Sequence, residues 1–250
     1  MKQKMRRDLA GMTIIELVVV IVVIGVLVAF CIPSLLKRTS AAQRISCLNN
    51  FLEIGTGYRL WAGDNGDRNP AEQTVAKGGW GDFLTNGDQG AICWTNYAIM
   101  SNELGRSTRI LVCPVDERKA ATSFGSDFND NAHLSYFVGV SANDTYPQSI
   151  QGGDRNLGVG SVPDTDYGFS PKSGKGNDVA IAISGPVSWS WKIHSAGNAA
   201  GAGFILLGDG SVQRTTTASF RTNWLNHAAP TTNWPIGHVP ATPSVRLVFP

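Results

Sequence analysis

The sequence has 250 residues, of which 42% are hydrophobic and 16% are charged, and its 21 basic and 19 acidic side chains leave a formal net charge of +2. A chain of this composition can bury a core, so disorder along its whole length is excluded. The basic residues form no stripe of the kind that follows a phosphate backbone, which argues against a nucleic-acid partner. Apolar residues crowd into the N-terminal region, whereas Gly, Asn, Thr and Ser dominate the remainder.

The N-terminal region divides into a basic leader and an apolar run. Met1–Gly11 contains two lysines and two arginines against the single acid Asp8, and Leu17–Ile32 contains no polar side chain other than a thiol. As a helix, Ile14–Ile32 would be about 28 Å long, which matches a hydrocarbon core of about 30 Å. The basic leader predicts a cytoplasmic N-terminus, so we expect residues 12–33 to form a transmembrane helix and residues 34–250 to lie outside the cytoplasm.

A short motif joins the leader to the apolar run. It reads Gly11-Met12-Thr13-Ile14-Ile15-Glu16, a glycine followed at the fifth position by a glutamate. An ordinary signal peptide would have a shorter apolar region and a small-residue cleavage site, whereas this run ends in Phe30-Cys31-Ile32-Pro33. The motif resembles the cleavage and methylation site of type IV pilins and of the pseudopilins of type II secretion.

The resemblance implies a function for several of these residues. A prepilin peptidase would cut between Gly11 and Met12 and methylate the new amine of Met12, where most family members have Phe. Glu16 would neutralise that amine on a neighbouring subunit during filament assembly, and Pro33 falls where many members have a helix-kinking proline. A carboxylate one turn into an apolar helix independently marks a functional site, although a hydrated glutamate near the interface is the alternative.

Beyond Pro33 we expect the helix to continue outside the membrane over residues 34–62, because apolar residues recur on one stripe. Glycines and acids at 63–67, followed by Asn69-Pro70, predict its end. The predicted organisation is therefore a leader (1–11), a transmembrane helix (12–33), its extracytoplasmic continuation (34–62) and a β-rich globular domain (63–250).

The globular domain contains short segments of β-branched and aromatic residues between turn residues. The predicted strands are Arg109–Cys113, Leu134–Val140, Val179–Ser184, Phe204–Leu207, Ser211–Thr215 and Val245–Phe249. Gly208-Asp209-Gly210 predicts a hairpin between the fourth and fifth of these.

Two segments predict irregular structure. Gly152–Asp178 is rich in glycine and predicts a long loop without regular elements, and the proline-rich tail from Pro230 predicts an extended strap. The expected fold class is α+β, with a long N-terminal helix, its first half in the membrane, packed on a small antiparallel β-sheet with long irregular loops.

The domain also resembles a subgroup of large extracytoplasmic pilin-like proteins. The residues that carry this resemblance are Cys47-Leu48-Asn49-Asn50, Cys113-Pro114, and His194 followed by Asp209-Gly210, although the spacing after His194 is longer than in the subgroup. Cys47, Cys93 and Cys113 are expected in an oxidising compartment, where one disulfide among them would persist. Cys93–Cys113 would close a modest loop, and the resemblance favours Cys47–Cys113. Cys31 is interpreted as an apolar filler.

Three further groups of residues suggest binding or catalysis. His194 with Asp209 could act in acid–base chemistry, with Ser195 or Ser211 as nucleophile, but no accompanying catalytic motif is present, so a histidine that bridges the hairpin is the preferred interpretation. Asp64, Asn65 and Asp67 are weak calcium candidates.

Asp127, Asn129 and Asp130 form a second cluster of that kind, and both clusters lack the EF-hand pattern, so solvated turns and no cofactor are expected.

Six tryptophans could form a sugar-binding platform, with Trp189 and Trp191 at strand spacing, although burial in the core is the preferred interpretation. The six are Trp80, Trp94, Trp189, Trp191, Trp224 and Trp234.

These observations predict a structural protein rather than an enzyme. By resemblance it is a pseudopilin or minor pilin of a type II secretion pseudopilus or a type IV pilus, located in the inner membrane with its domain in the periplasm or outside the cell. Its expected partners are other pilin-like subunits, the prepilin peptidase, the inner-membrane assembly platform and the membrane. The alternative is a membrane-tethered module that binds carbohydrate or another surface and does not polymerise.

Overall fold

The computed structural model describes residues 12–84, 93–140, 142, 146–160, 166–170, 176–182, 185–194, 201–225 and 244–250, without the side chains of 30–40, 178–182, 225 and 244. The predicted leader with Gly11, as well as Ser195, Trp234 and residues 230–243 of the proline-rich tail, lie outside these residues. The chain divides into two compact units, one ending at Ala42 and the other formed by Gln43–Pro250.

Helical backbone extends over Ile14–Asp64 (α1), and Pro33 lies within it. The unit boundary falls inside this helix, so only its section from Gln43 onward belongs to the unit that contains the sheet. The section before Phe30 is apolar, and its side chains are exposed.

The predicted fold class is wrong in its membrane-embedded helix. The apolar helical section with described side chains is residues 14–29, about 16 residues. Among the residues that the structure describes, no helix is long and apolar enough to cross a membrane. The α+β class and the antiparallel sheet are confirmed.

The strands among the described residues are β1 (Tyr136–Gly139), β2 (Ile150–Asp154), β3 (Leu157–Val159), β4 (Asn177–Ala182), β5 (Val187–Trp189), β6 (Ala202–Leu207), β7 (Val212–Thr216) and β8 (Ser244–Phe249). Six of them form an antiparallel sheet in the order β4-β8-β1-β2-β6-β7, and β3 pairs with β5 in a separate two-stranded sheet.

The remaining elements are short. Two α-helices are α2 (Cys93–Ile99) and α3 (Thr217–Ser219), and the latter continues into a π-helical turn at Phe220–Leu225. Single 3₁₀ turns lie at Pro70–Glu72, Val75–Lys77, Gly81–Leu84, Thr108–Leu111 and Asn131–His133.

Both faces of the sheet are covered, and β1 shows how. Tyr136 and Val138 belong to one core cluster with Phe51 of α1, whereas Phe137 between them belongs to a second cluster with Phe249. The rings of Phe51 and Tyr136 lie 4.3 Å apart, and those of Phe137 and Phe249 lie 4.9 Å apart. The alternation of strand side chains therefore joins the helix to one face of the sheet and apolar residues of other strands to the opposite face.

Most of the strand predictions are confirmed, including the β6–β7 hairpin. The prediction of a strand at Arg109–Cys113 is wrong, since Thr108–Leu111 forms a 3₁₀ turn whose buried Ile110 and Leu111 enter the core without strand pairing. The prediction of an irregular Gly152–Asp178 is also wrong, because it contains the end of β2 and all of β3. A Cβ on Gly153 would lie 2.5 Å from Cζ of Phe137. Because Gly153 has no side chain, the Phe137 ring can pack directly against the backbone of β2.

Candidate metal centre

Four buried side chains with metal-ligating atoms meet between α1 and the sheet. Cys47 lies on α1, Cys113 follows the 3₁₀ turn at Thr108–Leu111, Asp154 ends β2, and His194 lies in the turn after β5. Their ligand atoms all lie within 4.8 Å of one another, and all four residues belong to the unit Gln43–Pro250. Tertiary folding assembles this cluster, since Cys47 and Asp154 are 107 residues apart in sequence.

The distances inside the cluster are short and similar. Cys47 Sγ lies 3.8 Å from Asp154 Oδ1, and Cys113 Sγ lies 3.4 Å from His194 Nε2. His194 Nε2 lies 3.5 Å from Asp154 Oδ2, with both side chains fully buried. Two thiols, an imidazole and a carboxyl group therefore face a common point.

Neighbouring groups hold the cluster in place. The backbone N–H of Phe204 on β6 donates to Asp154 Oδ2 at 2.7 Å, and the Phe204 ring meets the His194 ring edge-on at 4.9 Å. Cys47 Sγ lies 3.5 Å from the Tyr136 hydroxyl, which also accepts a hydrogen bond from Asn50 Nδ2 at 3.3 Å. The carboxyl and the imidazole thus have fixed orientations.

Burial drives three of the four groups towards their neutral forms. It raises the pKa of Asp154 to about 8, against the lowering effect of the Phe204 N–H, and negative Asp116 adds to the rise. Burial lowers the pKa of His194 to about 4, with a further lowering from nearby arginines. Burial also raises the pKa of Cys47 well above its usual value. A metal ion binds carboxylate, thiolate and neutral imidazole. Its positive charge would therefore offset the cost of burying the carboxylate and the thiolate, and the imidazole is already neutral.

The structure brings the sulfurs of Cys47 and Cys113 within 4.8 Å of each other, the pair that the resemblance favoured, whereas Cys93 lies outside the cluster. Cys47, Cys93 and Cys113 are all free and buried, so the predicted disulfide is not formed. Each sulfur has other polar neighbours: Cys47 faces Asp154, Cys113 faces His194, and Cys93 Sγ donates to the Val248 carbonyl at 3.3 Å.

The suggested pairing of His194 with Asp209 is not present either. Asp209 Oδ1 instead accepts from the backbone N–H of Ser211 at 2.8 Å in the β6–β7 turn.

The calcium candidates form local turns. Asn65 donates its side-chain amide to the Trp61 carbonyl at 2.8 Å at the end of α1, and Asp64 and Asp67 are exposed. Asp127 accepts from the backbone N–H groups of Thr122 and Ser123, and these contacts lower its pKa. The carboxylate of Asp127 therefore stabilises the backbone of its own turn.

The tryptophans are mostly core residues. Trp80 and Trp189 are buried, and Trp80 Nε1 donates to Asn96 Oδ1 at 2.9 Å. Trp94 and Trp224 are partly buried, whereas Trp191 is 49% exposed, so Trp189 and Trp191 form no common exposed face.

Sequence reasoning missed two features. Asp154 follows the glycines of β2, in a segment that was predicted to be irregular, and no local pattern marks it as a ligand. Thr13 and Glu16 form a capping box: Glu16 Oε2 accepts from Thr13 N–H at 2.8 Å, and Thr13 Oγ1 accepts from Glu16 N–H at 3.4 Å. The signal for this second feature was present, because Thr-x-x-Glu before an apolar run is the capping-box pattern.

Comparison of the chain with protein-family models, with curated proteins and with solved structures finds no match.

Proposed function

We propose that the chain is a pilin-like structural subunit, a pseudopilin or minor pilin that assembles into a filament with other pilin-like subunits. The observation that carries the proposal is the apolar surface of the N-terminal section of α1. The apolar side chains from Ile14 to Val28 are each between 45% and 84% exposed. Exposed apolar surface of this extent marks an interaction site, and packing against the same helix of neighbouring subunits would cover it.

Glu16 supports the assembly proposal by its position. It is an acidic residue in the first turn of this otherwise apolar section. In the chain alone, its carboxylate is occupied by Thr13. In a filament the same carboxylate would pair with the Met12 amine of a neighbour. An unpaired charge inside such a bundle costs several kcal/mol, so the pair would select one register.

The proposal includes processing and location. A prepilin peptidase would cut between Gly11 and Met12, and Met12 is exposed ahead of the helix. The domain Gln43–Pro250 would lie outside the cytoplasm, in the periplasm or beyond it. Its role would be structural in a type II secretion pseudopilus or a type IV pilus.

The test separates the charge of Glu16 from its capping role. Glu16→Gln keeps a capping box and removes the charge, whereas Thr13→Ala weakens the cap and keeps the charge. The amount of each variant in filaments sheared from native-host cells is measured against its total cellular amount. We expect Glu16→Ala and Glu16→Gln to be lost from filaments, Glu16→Asp to be partly retained and Thr13→Ala to assemble.

Two results would contradict the proposal. One is incorporation of Glu16→Gln at the parent level together with loss of Thr13→Ala, which would make Glu16 a helix cap only. The other is absence of the parent chain from every filament fraction.

A further inference from the structure

We propose that Cys47, Cys113, Asp154 and His194 bind one Zn²⁺ ion in a closed tetrahedral site that fastens α1 to the sheet. This inference does not depend on the proposed filament function, because all four residues lie in the unit Gln43–Pro250.

The distances between ligand atoms fit a tetrahedron around zinc. Zinc bonds of about 2.3 Å to sulfur and about 2.0–2.2 Å to nitrogen and oxygen place neighbouring ligand atoms roughly 3.3–3.8 Å apart. Cys47 Sγ lies 3.8 Å from Asp154 Oδ1, Cys113 Sγ lies 3.4 Å from His194 Nε2, and His194 Nε2 lies 3.5 Å from Asp154 Oδ2. Every pair of ligand atoms lies within 4.8 Å, so shifts of about 1 Å towards one carboxylate oxygen would bring all four to zinc-bonding distance.

The ligand types select zinc over the harder cations. Calcium takes six to eight oxygens and magnesium an octahedron of oxygens, whereas this site offers two sulfurs, one nitrogen and a carboxylate oxygen. Thiolate with imidazole is the ligand combination of zinc proteins. Four protein ligands leave no open position for water or substrate, so the site is structural.

A disulfide between Cys47 and Cys113 explains less of the structure. It would account for the two sulfurs but would leave Asp154 and His194 side by side, both fully buried. A zinc ion accounts for all four groups. Two thiolates and one carboxylate around Zn²⁺ leave one net negative charge, and Arg44 and Arg214 lie close enough to His194 to act on it electrostatically.

The supporting contacts resemble the outer shell of a zinc site. The Phe204 N–H fixes Asp154 Oδ2, which leaves Oδ1 directed to Cys47. Coordination through Nε2 would place the proton of His194 on Nδ1, a buried atom for which the described residues provide no acceptor, so the outer-shell hydrogen bond of most zinc-bound histidines is missing here. The Tyr136 hydroxyl beside Cys47 can donate to a coordinated sulfur.

The first experiment measures zinc in the full chain after purification with Zn²⁺ in all buffers and removal of excess ion. Inductively coupled plasma mass spectrometry should find one zinc per chain. Cys113→Ala should lose it. Cys93→Ala is the matched control, because Cys93 is equally buried but lies outside the cluster, and it should retain one zinc. Zinc absent from the parent, or retained equally in Cys113→Ala, would overturn the proposal.

The second experiment needs only the parent chain and remains decisive if Cys113→Ala does not fold. Zinc is replaced by Co²⁺, and the absorption spectrum should show strong tetrahedral ligand-field bands together with thiolate charge transfer. Free Zn²⁺ about 100-fold above its Kd should also raise Tm by roughly 5–10 °C. A weak octahedral spectrum, or a Cys47–Cys113 disulfide in non-reducing peptide maps of the purified chain, would overturn the proposal.

Discussion

The buried ion pair between Asp116 and Arg155 provides the sharpest stability prediction. The Arg155 guanidinium contacts Asp116 twice, with Nε 2.7 Å from Oδ2 and Nη2 2.8 Å from Oδ1, and both side chains are almost completely buried. Arg155 also stacks on the ring of Tyr167, 3.4 Å from its centroid. Asp116→Asn keeps the shape and removes the charge, so it leaves a buried guanidinium without its buried counter-ion. Breaking such a pair costs about 3–5 kcal/mol.

The chain offers a matched control for this variant. Glu117 lies 3.8 Å from the same guanidinium, but its side chain is 59% exposed. Glu117→Gln should therefore cost only about 0–1 kcal/mol. Urea unfolding, followed by circular dichroism, gives the free energy of unfolding of both variants. Equal losses of unfolding free energy in Asp116→Asn and Glu117→Gln would refute the reasoning, because the buried ion pair would then contribute no more than the exposed one.

The ion pair also predicts a pH dependence with a definite sign. Burial alone would raise the pKa of Asp116, but the hydrogen bonds and charge of Arg155 outweigh it, and the net shift is downward. The stabilisation is therefore fully present above the unfolded-state pKa of about 3.9 and is lost as pH falls through the lower folded-state pKa. The difference in unfolding free energy between the parent and Asp116→Asn should narrow below about pH 4. A difference that stays constant down to pH 2 would contradict the assignment.

Three further predictions test the fold. Gly139→Ala should lower the free energy of unfolding in urea by about 1–3 kcal/mol, because the added Cβ would lie 1.8 Å from a β2 carbonyl oxygen. Gly63→Ala is the control and should not lower it, because an added Cβ there would have nothing within 4 Å. Phe51→Ala should lose about 3–5 kcal/mol, since the ring is fully buried against Tyr136, and a loss below about 1 kcal/mol would contradict the helix–sheet packing. The carboxyl of Asp127 should titrate well below an ordinary aspartate by NMR, because backbone N–H groups hold its charged form; an ordinary pKa would show that the loop does not close on it.

Local patterns predicted the parts of the fold that depend on nearby residues. Alternating and β-branched segments correctly predicted β1, β6, β7 and β8. The Gly208-Asp209-Gly210 turn correctly predicted the hairpin between β6 and β7. The strand β2 was missed because Gly152 and Gly153 have no side chain to show alternation. Glycine fits at both positions because Phe137 of the neighbouring strand lies directly against them, and this tertiary contact is not visible in the local sequence.

The candidate metal centre was only partly visible in the sequence. Cys47, Cys113 and His194 were singled out, but as a disulfide and a hairpin histidine. Asp154 was not singled out, because the pairing of β2 with β6 is what brings its carboxyl to the other three residues. A ligand set with such long sequence separations has no spacing signature, in contrast to a zinc finger.

The mass of the mature chain tests the central claim, that this is a pilin-like subunit, most directly. The chain is purified from its native host, and its intact mass and N-terminal peptide are measured. Loss of the first 11 of the 250 residues would leave a chain of 239 residues. The account predicts a chain that begins with N-methylated Met12. A mature chain that retains Met1, or one that begins after Phe30, would contradict it.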